Sequence, residues 1–158
     1  DTIRIWTAHL QSFGFMGKEY NDISKIKNDA EGRIDASKNI VKKMKTAFER
    51  RGEQADFIRN KLDSSSYPEV FCGDLNDVPN SYTYFSIKGD KKDAFISSNF
   101  GFGQTFYSFS SGFMRDLPTL RIDYIFADPR FKIIQCDRIP KVFSDHFPVV
   151  ADIKLEKN

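Results

Sequence analysis

Cysteine and histidine are scarce in this sequence of 158 residues, which contains two of each. Cys72 and Cys136 both lie in apolar, strand-like stretches, so they are better interpreted as small buried side chains than as a disulfide or a thiolate site. A zinc site needs paired ligands at short spacing, which two distant histidines do not provide. Disulfide-rich and zinc-binding classes are therefore disfavoured.

Long apolar runs and a large excess of either charge are also missing. The longest uncharged stretch, residues 94–114, is interrupted by glycines and serines, whereas a membrane span needs about 20 mostly apolar residues. The first residues show no basic region followed by an apolar run, so no signal peptide is predicted and the compartment stays open. With 24 Lys+Arg against 22 Asp+Glu, the chain does not resemble a strongly basic nucleic-acid module.

The overall composition, 40% apolar and 29% charged, is typical of one soluble globular domain. A chain of this length buries about two thirds of its unfolded surface, so it needs no metal or disulfide for its core. The sixteen phenylalanines are unusually many. Six of them cluster, and packing is favoured over a base-stacking surface because no basic residues are interleaved with them: Phe95, Phe100, Phe102, Phe106, Phe109 and Phe113.

The hydrophobic pattern predicts a β-strand, a long helix and a second strand in the first half of the chain. Residues 1–10 alternate as a strand covered on both faces, and residues 11–32 predict a loop with a short helix. A stripe then predicts an amphipathic helix over Ile34–Leu62. Residues 33–62 contain nine basic and four acidic side chains, and this local charge of +5 is interpreted as a solvated face. The stripe consists of Ile34, Val41, Met44, Phe48, Ala55, Ile58 and Leu62.

Residues 69–73 predict a short buried strand, which makes the first half a βαβ-like crossover. Further along, Ser81 is a candidate helix cap and residues 105–106 a candidate edge strand. Three successive strands are predicted over residues 121–127, 131–139 and 147–155.

Polar residues follow directly after the second strand, in the sequence Gly73-Asp74-Leu75-Asn76. A carboxylate and an amide two positions apart can converge on a hard cation, which prefers oxygen ligands. The alternative is an Asx turn with no ligand, which the same composition also suits.

Asp123 lies in the middle of a predicted buried strand, where an unpaired carboxylate costs several kcal/mol. Its partner is either a structural Arg or Lys, or an imidazole that it orients. Ser144-Asp145-His146-Phe147-Pro148 supplies such an imidazole, and a second acid beside it. His9 ends the first strand, and by itself it is more often a surface histidine than a catalytic one.

Each motif is weak evidence alone, but all of them occur in order along the chain. With this combination, the sequence resembles the endonuclease/exonuclease/phosphatase superfamily from end to end. The resemblance implies an α/β (α+β) fold, a two-sheet four-layered sandwich, and metal-dependent hydrolysis of a phosphoester by a hydrolase, usually with Mg²⁺ and alternatively with Mn²⁺. Its motifs are Ala8-His9-Leu10-Gln11-Ser12, Gly73-Asp74-Leu75-Asn76, Arg121-Ile122-Asp123-Tyr124-Ile125 and Ser144-Asp145-His146-Phe147-Pro148-Val149.

The resemblance also implies roles for individual residues. His146, polarised by Asp123, activates or orients the attacking water or stabilises the transition state. Asp74 and Asn76 position the nucleophile and the phosphate and are candidate metal ligands. Asp145 binds the metal directly or through water. His9 contacts a phosphate oxygen or assists the leaving group.

A complete domain of this family is longer, and its principal glutamate ligand precedes the strand that carries the first histidine. Residues 1–158 are therefore expected to be roughly the C-terminal half of the domain, weakly active or inactive alone, with the upstream half as partner. Glu19, Glu31 and Glu69 lie in the wrong sequence contexts to replace that ligand.

The substrate class expected first is an unspecified phosphodiester, followed by nucleic acid and then a phospholipid headgroup. Selectivity in such folds comes from loops around a shared site, so the motifs do not settle it. The alternative function, from a different class, is a non-catalytic binding module that keeps the sandwich fold. The intact motif residues argue against it.

Overall fold

The computed structural model describes residues 2–15, 17–28, 31–107 and 120–156. Within them lie six strands and four helices, which in chain order are β1 (Arg4–His9), α1 (Gly17–Lys27), α2 (Arg33–Asp63), β2 (Glu69–Asp74), α3 (Tyr82–Lys88), β3 (Lys92–Asp93), α4 (Ala94–Ser98), β4 (Asp123–Ala127), β5 (Phe131–Arg138) and β6 (Val149–Leu155). Among these described residues, no helix is long and apolar enough to cross a membrane.

A four-stranded sheet with the order β1-β2-β4-β3 forms the centre of the fold. β1 and β2 pair in parallel, with Arg4 opposite Glu69 and His9 opposite Asp74, whereas β4 runs antiparallel to both β2 and β3. A parallel pair needs a long crossover connection, which the helices α1 and α2 provide. The predicted crossover is thus confirmed.

Helices cover one face of this sheet. Phe71 of β2 and Phe126 of β4 stack at 6.0 Å between ring centroids, and both are almost fully buried. They pack with residues of α2, α3, β4 and the adjoining turns, which are Leu10, Ala55, Leu62, Leu75, Tyr84, Ile87 and Tyr124. Burial of apolar side chains on this scale is the main stabilising contribution to the fold.

A second, two-stranded sheet of β5 and β6 lies against the other face. Val70, Ala127 and Phe131 form the buried centre of this interface, with Ile125 and Ile153 packed around them. Helices, a mixed sheet and a second sheet therefore stack in layers, which confirms the two-sheet mixed α/β sandwich.

The strands predicted in the C-terminal part are confirmed to within two residues. Ser81 caps α3, because its side chain accepts a hydrogen bond from the backbone N–H of Tyr84. The predicted edge strand at residues 105–106 is only an isolated bridge between Phe106 and His146. The sequence pattern missed the short elements β3 and α4, and Phe109 and Phe113 of the predicted aromatic cluster lie outside the described residues.

The stripe predicted along α2 is correct only in its C-terminal half. Ala55 and Leu62 are buried against the sheet, whereas Ile34 and Val41 are 65% and 63% exposed. The N-terminal half packs against α1, and its buried residues are Ala36 and Ala47 rather than the large apolar residues of the predicted stripe.

Gly73 permits the close approach of β2 to β1. A Cβ atom at this position would lie 2.2 Å from the backbone oxygen of Ala8, which is far inside van der Waals contact. We expect Gly73→Ala to lower the free energy of unfolding by about 1–3 kcal/mol, as overpacking against a rigid neighbour does. Chemical denaturation measures this loss.

The matched control is Gly17→Ala, where a Cβ atom would meet nothing within 4 Å. At such an open position, alanine is neutral or stabilises by up to about 1 kcal/mol. Equal effects of the two substitutions would contradict the close approach.

Candidate active site

Three adjacent strands bring polar side chains to one end of the central sheet. His9 pairs with Asp74 across β1 and β2, and Asp74 pairs with Asp123 across β2 and β4. All three side chains lie on the sheet face opposite the helices, since side chains alternate along a strand. In β2 and β4, the neighbouring residues on this face, Val70, Cys72, Ile125 and Ala127, pack against the second sheet. The corresponding residues of β1, Ile5 and Thr7, are exposed.

The carboxylate of Asp74 lies between the two histidines. Its Oδ2 is 3.5 Å from Nε2 of His9 and 3.9 Å from Nε2 of His146. The imidazole of His146 also contacts Asp123, whose Oδ2 lies 2.9 Å from Nδ1 of His146. Because a carboxylate can only accept, this hydrogen bond places the proton on Nδ1 and leaves Nε2 as the reactive nitrogen.

Asn76 is held in the left-handed region of the backbone, at φ 49°. Its backbone N–H donates to Oδ1 of Asp74 at 2.7 Å. Its side-chain amide donates to the carbonyl of Leu10 at 3.0 Å and to Oδ2 of Asp74 at 3.2 Å. The predicted Asx turn is therefore present, and it also fixes the orientation of Asp74 within the site.

The site is open to solvent. A cavity of about 400 Å³ is lined by Asp74, Asp123 and residues of the segment 144–149 that includes His146. The ring of Phe106 lies edge-on to the imidazole of His146, at 5.1 Å between centroids. A substrate could therefore reach the carboxylates and Nε2 of His146 from solvent.

Comparison with known proteins identifies the family of this chain. The model of the endonuclease/exonuclease/phosphatase family matches residues 41–146, which is more than half of the chain. The chain belongs to this family. Comparison with curated proteins gave no match.

Solved structures of the same fold include an endonuclease/exonuclease/phosphatase from Bacteroides vulgatus, 30% identical over 70% of this chain, with a TM-score of 0.56. A mannosyl-6-phosphatase from Bacteroides thetaiotaomicron is 22% identical over 68% of the chain (TM-score 0.53). A 3′ phosphatase from Neisseria, bound to a product DNA hairpin, is 19% identical over 71% (TM-score 0.52). The present chain covers 46%, 46% and 55% of these three structures, respectively.

Members of this family generally depend on a divalent metal, and the site contains donors that fit one. One ligand atom from each of Asp74, Asp123 and His146 lies within 4.8 Å of the others. Carboxylate oxygens suit Mg²⁺, and an added imidazole also suits Mn²⁺. The exposed side chain of Asp145 is not part of this cluster, so its role as a ligand stays a prediction.

The glutamates considered as substitutes for the family's principal ligand lie elsewhere. Glu69 is buried at the opposite end of β2 from Asp74, where it pairs with Lys91 at 2.8 Å and accepts a hydrogen bond from Trp6. Glu19 pairs with Lys43 at 2.9 Å, and Glu31 is exposed. None of the three takes part in the Asp74, Asp123 and His146 cluster.

Sequence reasoning missed Arg51, which is fully buried beneath the site. Its guanidinium donates to Oδ2 of Asp77 at 3.2 Å and to the carbonyl of Gln11 at 3.0 Å. It thereby joins the loop after β1 to the turn after β2, the two segments that carry His9 and Asp74. A signal was available, since position 51 falls within the α2 stripe, four residues before Ala55.

The pKa values of two site residues are shifted by their surroundings. The hydrogen bond to Asp123 raises the pKa of His146, and the charges of Asp123, Asp74 and Asp145 act in the same direction, while burial opposes them. Burial raises the pKa of the Asp74 carboxyl, although the N–H of Asn76 acts against it. Folding therefore favours imidazolium at His146 and makes ionisation of Asp74 harder.

We expect His146 to titrate above its ordinary pKa of about 6.5 and to titrate lower in Asp123→Asn, which removes the anionic acceptor. ¹H–¹⁵N NMR of the imidazole in buffer with EDTA measures both midpoints. Because the folded pKa is raised, the stability contributed by His146 is present below about pH 6.5 and is lost as the pH rises through the folded value.

Asp145→Asn is the matched control, because it removes one charge beside His146 without removing the hydrogen bond. Its effect on the midpoint should be clearly smaller than that of Asp123→Asn. An unchanged midpoint in Asp123→Asn would remove the dyad from the site.

Proposed function

We propose that this chain carries the catalytic residues of a metal-dependent phosphoesterase that acts on phosphodiesters. The observation that supports this most is the position of the Asp74 carboxylate between the imidazoles of His9 and His146, with Asp123 oriented behind His146. Such an array offers a base, an acid and an anionic metal ligand within one site. A binding module would have no need for it.

The proposed reaction is attack of water on phosphorus with loss of the ester oxygen. Asp123 accepts a hydrogen bond from Nδ1–H of His146 and leaves that proton on the imidazole, so Nε2 takes the proton from water as the new P–O bond forms. The bond to the leaving oxygen then breaks, and His9 protonates that oxygen or donates to a phosphate oxygen. Asp74 and Asn76 orient the water and the phosphate between the two imidazoles.

Asp74, Asn76 and Asp145 are the proposed metal ligands, and Asp74 is the one of them that belongs to the cluster with Asp123 and His146. A bound Mg²⁺ or Mn²⁺ supplies charge that offsets the phosphoryl oxygens and lowers the pKa of water.

A phosphodiester needs space for two substituents on phosphorus. The cavity of about 400 Å³ at Asp74 and His146 offers such space. Among the structural relatives, the Bacteroides enzyme is named for a sugar phosphate and the Neisseria enzyme is bound to DNA. Both names support a phosphoester substrate.

We also propose that residues 1–158 are the C-terminal part of a larger domain. Ile3, which precedes β1, and Ile5 of β1 are 44% and 73% exposed. Ile5 lies beside Val70, on the sheet face that the second sheet covers elsewhere. Further strands that pair with β1 would bury these side chains and bring additional metal ligands to the site.

The test of function is hydrolysis of bis(p-nitrophenyl) phosphate and of p-nitrophenyl phosphate with Mg²⁺, Mn²⁺ or EDTA. We expect metal-dependent turnover with the diester preferred, and a loss of about 10²–10⁴-fold in kcat for His146→Ala, the usual contribution of a general base. Asp74→Asn should lower both kcat and the affinity for Mn²⁺, measured by calorimetry. Asp35→Asn, an exposed acid on α2, is the control and should change neither.

The same assays are to be run on the 158-residue chain and on the chain extended by the natural sequence that precedes Asp1. The domain proposal predicts activity near background for the former and a large increase for the latter. Turnover that survives His146→Ala in both forms would contradict the assigned site. Metal binding without turnover in both would favour the binding-module alternative.

A further inference from the structure

Thr105 lies between the two segments that carry Asp123 and His146. It is only 2% exposed, and it does not line the open cavity at Asp74 and His146. Its side chain forms hydrogen bonds to one of the two segments and its backbone to the other. The relative position of Asp123 and His146 therefore depends on a single buried residue.

The side chain of Thr105 holds the start of β4. Its Oγ1 accepts hydrogen bonds from the backbone N–H groups of Ile122 and Asp123, at 3.0 and 3.1 Å. Among the described residues, β3 pairs with β4 at Phe126 and Ala127 and does not reach Asp123. The hydroxyl oxygen thus gives both N–H groups an acceptor where β3 gives none, and buried N–H groups need one.

The backbone of Thr105 holds the segment that contains His146. Its carbonyl accepts a hydrogen bond from the N–H of Phe147 at 2.7 Å. The next residue, Phe106, forms an antiparallel bridge with His146. The imidazole is thus carried by a segment that is bonded on both sides of position 146 to Thr105 and its neighbour.

The same connection extends to the turn that follows Asp74. The carbonyl of Ile122 accepts from the N–H of Leu75 at 2.8 Å, while the N–H of Ile122 donates to Thr105. Leu75 directly follows Asp74. A displacement of Ile122 would therefore also move the turn after β2.

No strand pairing joins Asp123 to His146 directly. Asp123 begins β4 of the central sheet, whereas the strand that follows His146, β6, belongs to the second sheet. Even so, Oδ2 of Asp123 and Nδ1 of His146 are 2.9 Å apart. A separation of about 3.6 Å would already abolish this hydrogen bond, so the two segments must be placed accurately.

We propose that Thr105 is a positioning residue whose hydroxyl and carbonyl oxygens hold Asp123 and His146 at hydrogen-bonding distance. Thr105 does not contact substrate, because it is buried and its side-chain oxygen already accepts from two backbone donors. Its effect on hydrolysis rests on the proposed function, whereas its effect on the contact between Asp123 and His146 does not.

The first test is the tautomer of His146, measured by ¹⁵N NMR of the ring in EDTA at about pH 9, where imidazole is neutral. The carboxylate of Asp123 can only accept, so the contact keeps the proton on Nδ1. We expect Thr105→Val, which keeps the shape of the side chain but lacks the hydroxyl, to lower the fraction protonated on Nδ1. Thr105→Ser keeps the hydroxyl and should keep the tautomer.

The second test is hydrolysis of bis(p-nitrophenyl) phosphate by the chain extended with the natural sequence that precedes Asp1. Thr105→Val should lower kcat by about 10²-fold, the loss that a misplacement of about 1 Å causes. KM should change little, because Thr105 does not contact substrate. Thr105→Ser should restore most of kcat.

Leu62→Ala is the control for a general loss of stability. Leu62 is buried in the last turn of α2 and packs in the core between the helices and the central sheet. Truncation of such a side chain lowers the melting temperature but removes no hydrogen bond of Thr105. The tautomer of His146 and kcat should stay those of the unsubstituted chain.

A folded Thr105→Val variant that keeps the Nδ1 tautomer would overturn the proposal. It would also be overturned if Thr105→Ser were as impaired as Thr105→Val, or if Leu62→Ala changed the tautomer equally. If Thr105→Val does not fold, amide hydrogen exchange of the unsubstituted chain decides. The amides of Asp123 and Phe147 should be protected and exchange together, and fast exchange of either would contradict the role of Thr105.

The two proposals fail separately. If the unsubstituted extended chain does not hydrolyse the diester while the tautomer still depends on the Thr105 hydroxyl, the catalytic proposal is wrong and the positioning of His146 by Thr105 is supported. If the chain hydrolyses the diester and Thr105→Val leaves both the tautomer and kcat unchanged, the positioning proposal alone is wrong.

Discussion

The register of the β1-β2-β4 pairing is the constraint on which the site depends. It places His9, Asp74 and Asp123 side by side on one face, and a shift of one residue in β2 would turn Asp74 to the opposite face. The apolar residues of β2 and β4 on the same face favour this register, because they pack against the second sheet. Packing between the sheets thus determines which polar side chains converge.

The buried guanidinium of Arg51 also stabilises this arrangement. Arg51 is enclosed by the rings of Phe13 and Phe48, whose centroids lie 4.7 and 4.6 Å from its guanidinium carbon. Removing such a cation from water is costly unless it is paired, and Asp77 provides the pair. Asp77 also accepts from Thr83, so the turn after β2 is tied to α2 and α3 together.

The sequence pattern predicted the main elements well where local periodicity is strong. The crossover and the last three strands agree with the structure, since alternation and helical stripes reflect burial directly. The pattern failed for the N-terminal half of α2, where Ile34 and Val41 are exposed. It also missed β3 and α4, which are too short to carry a periodic signal and depend on pairing with β4.

The motifs alone indicated the family and singled out Asp74, Asn76, Asp123 and His146 as candidate site residues, because the residue types in such short motifs are set by chemistry. Which of these residues meet depends on the tertiary structure. It joined Asp123 to His146 and placed Asp74 between two imidazoles, while the side chain of Asp145 stayed outside the Asp74, Asp123 and His146 cluster. Distances between segments far apart in sequence follow from strand register and core packing, which no local pattern encodes.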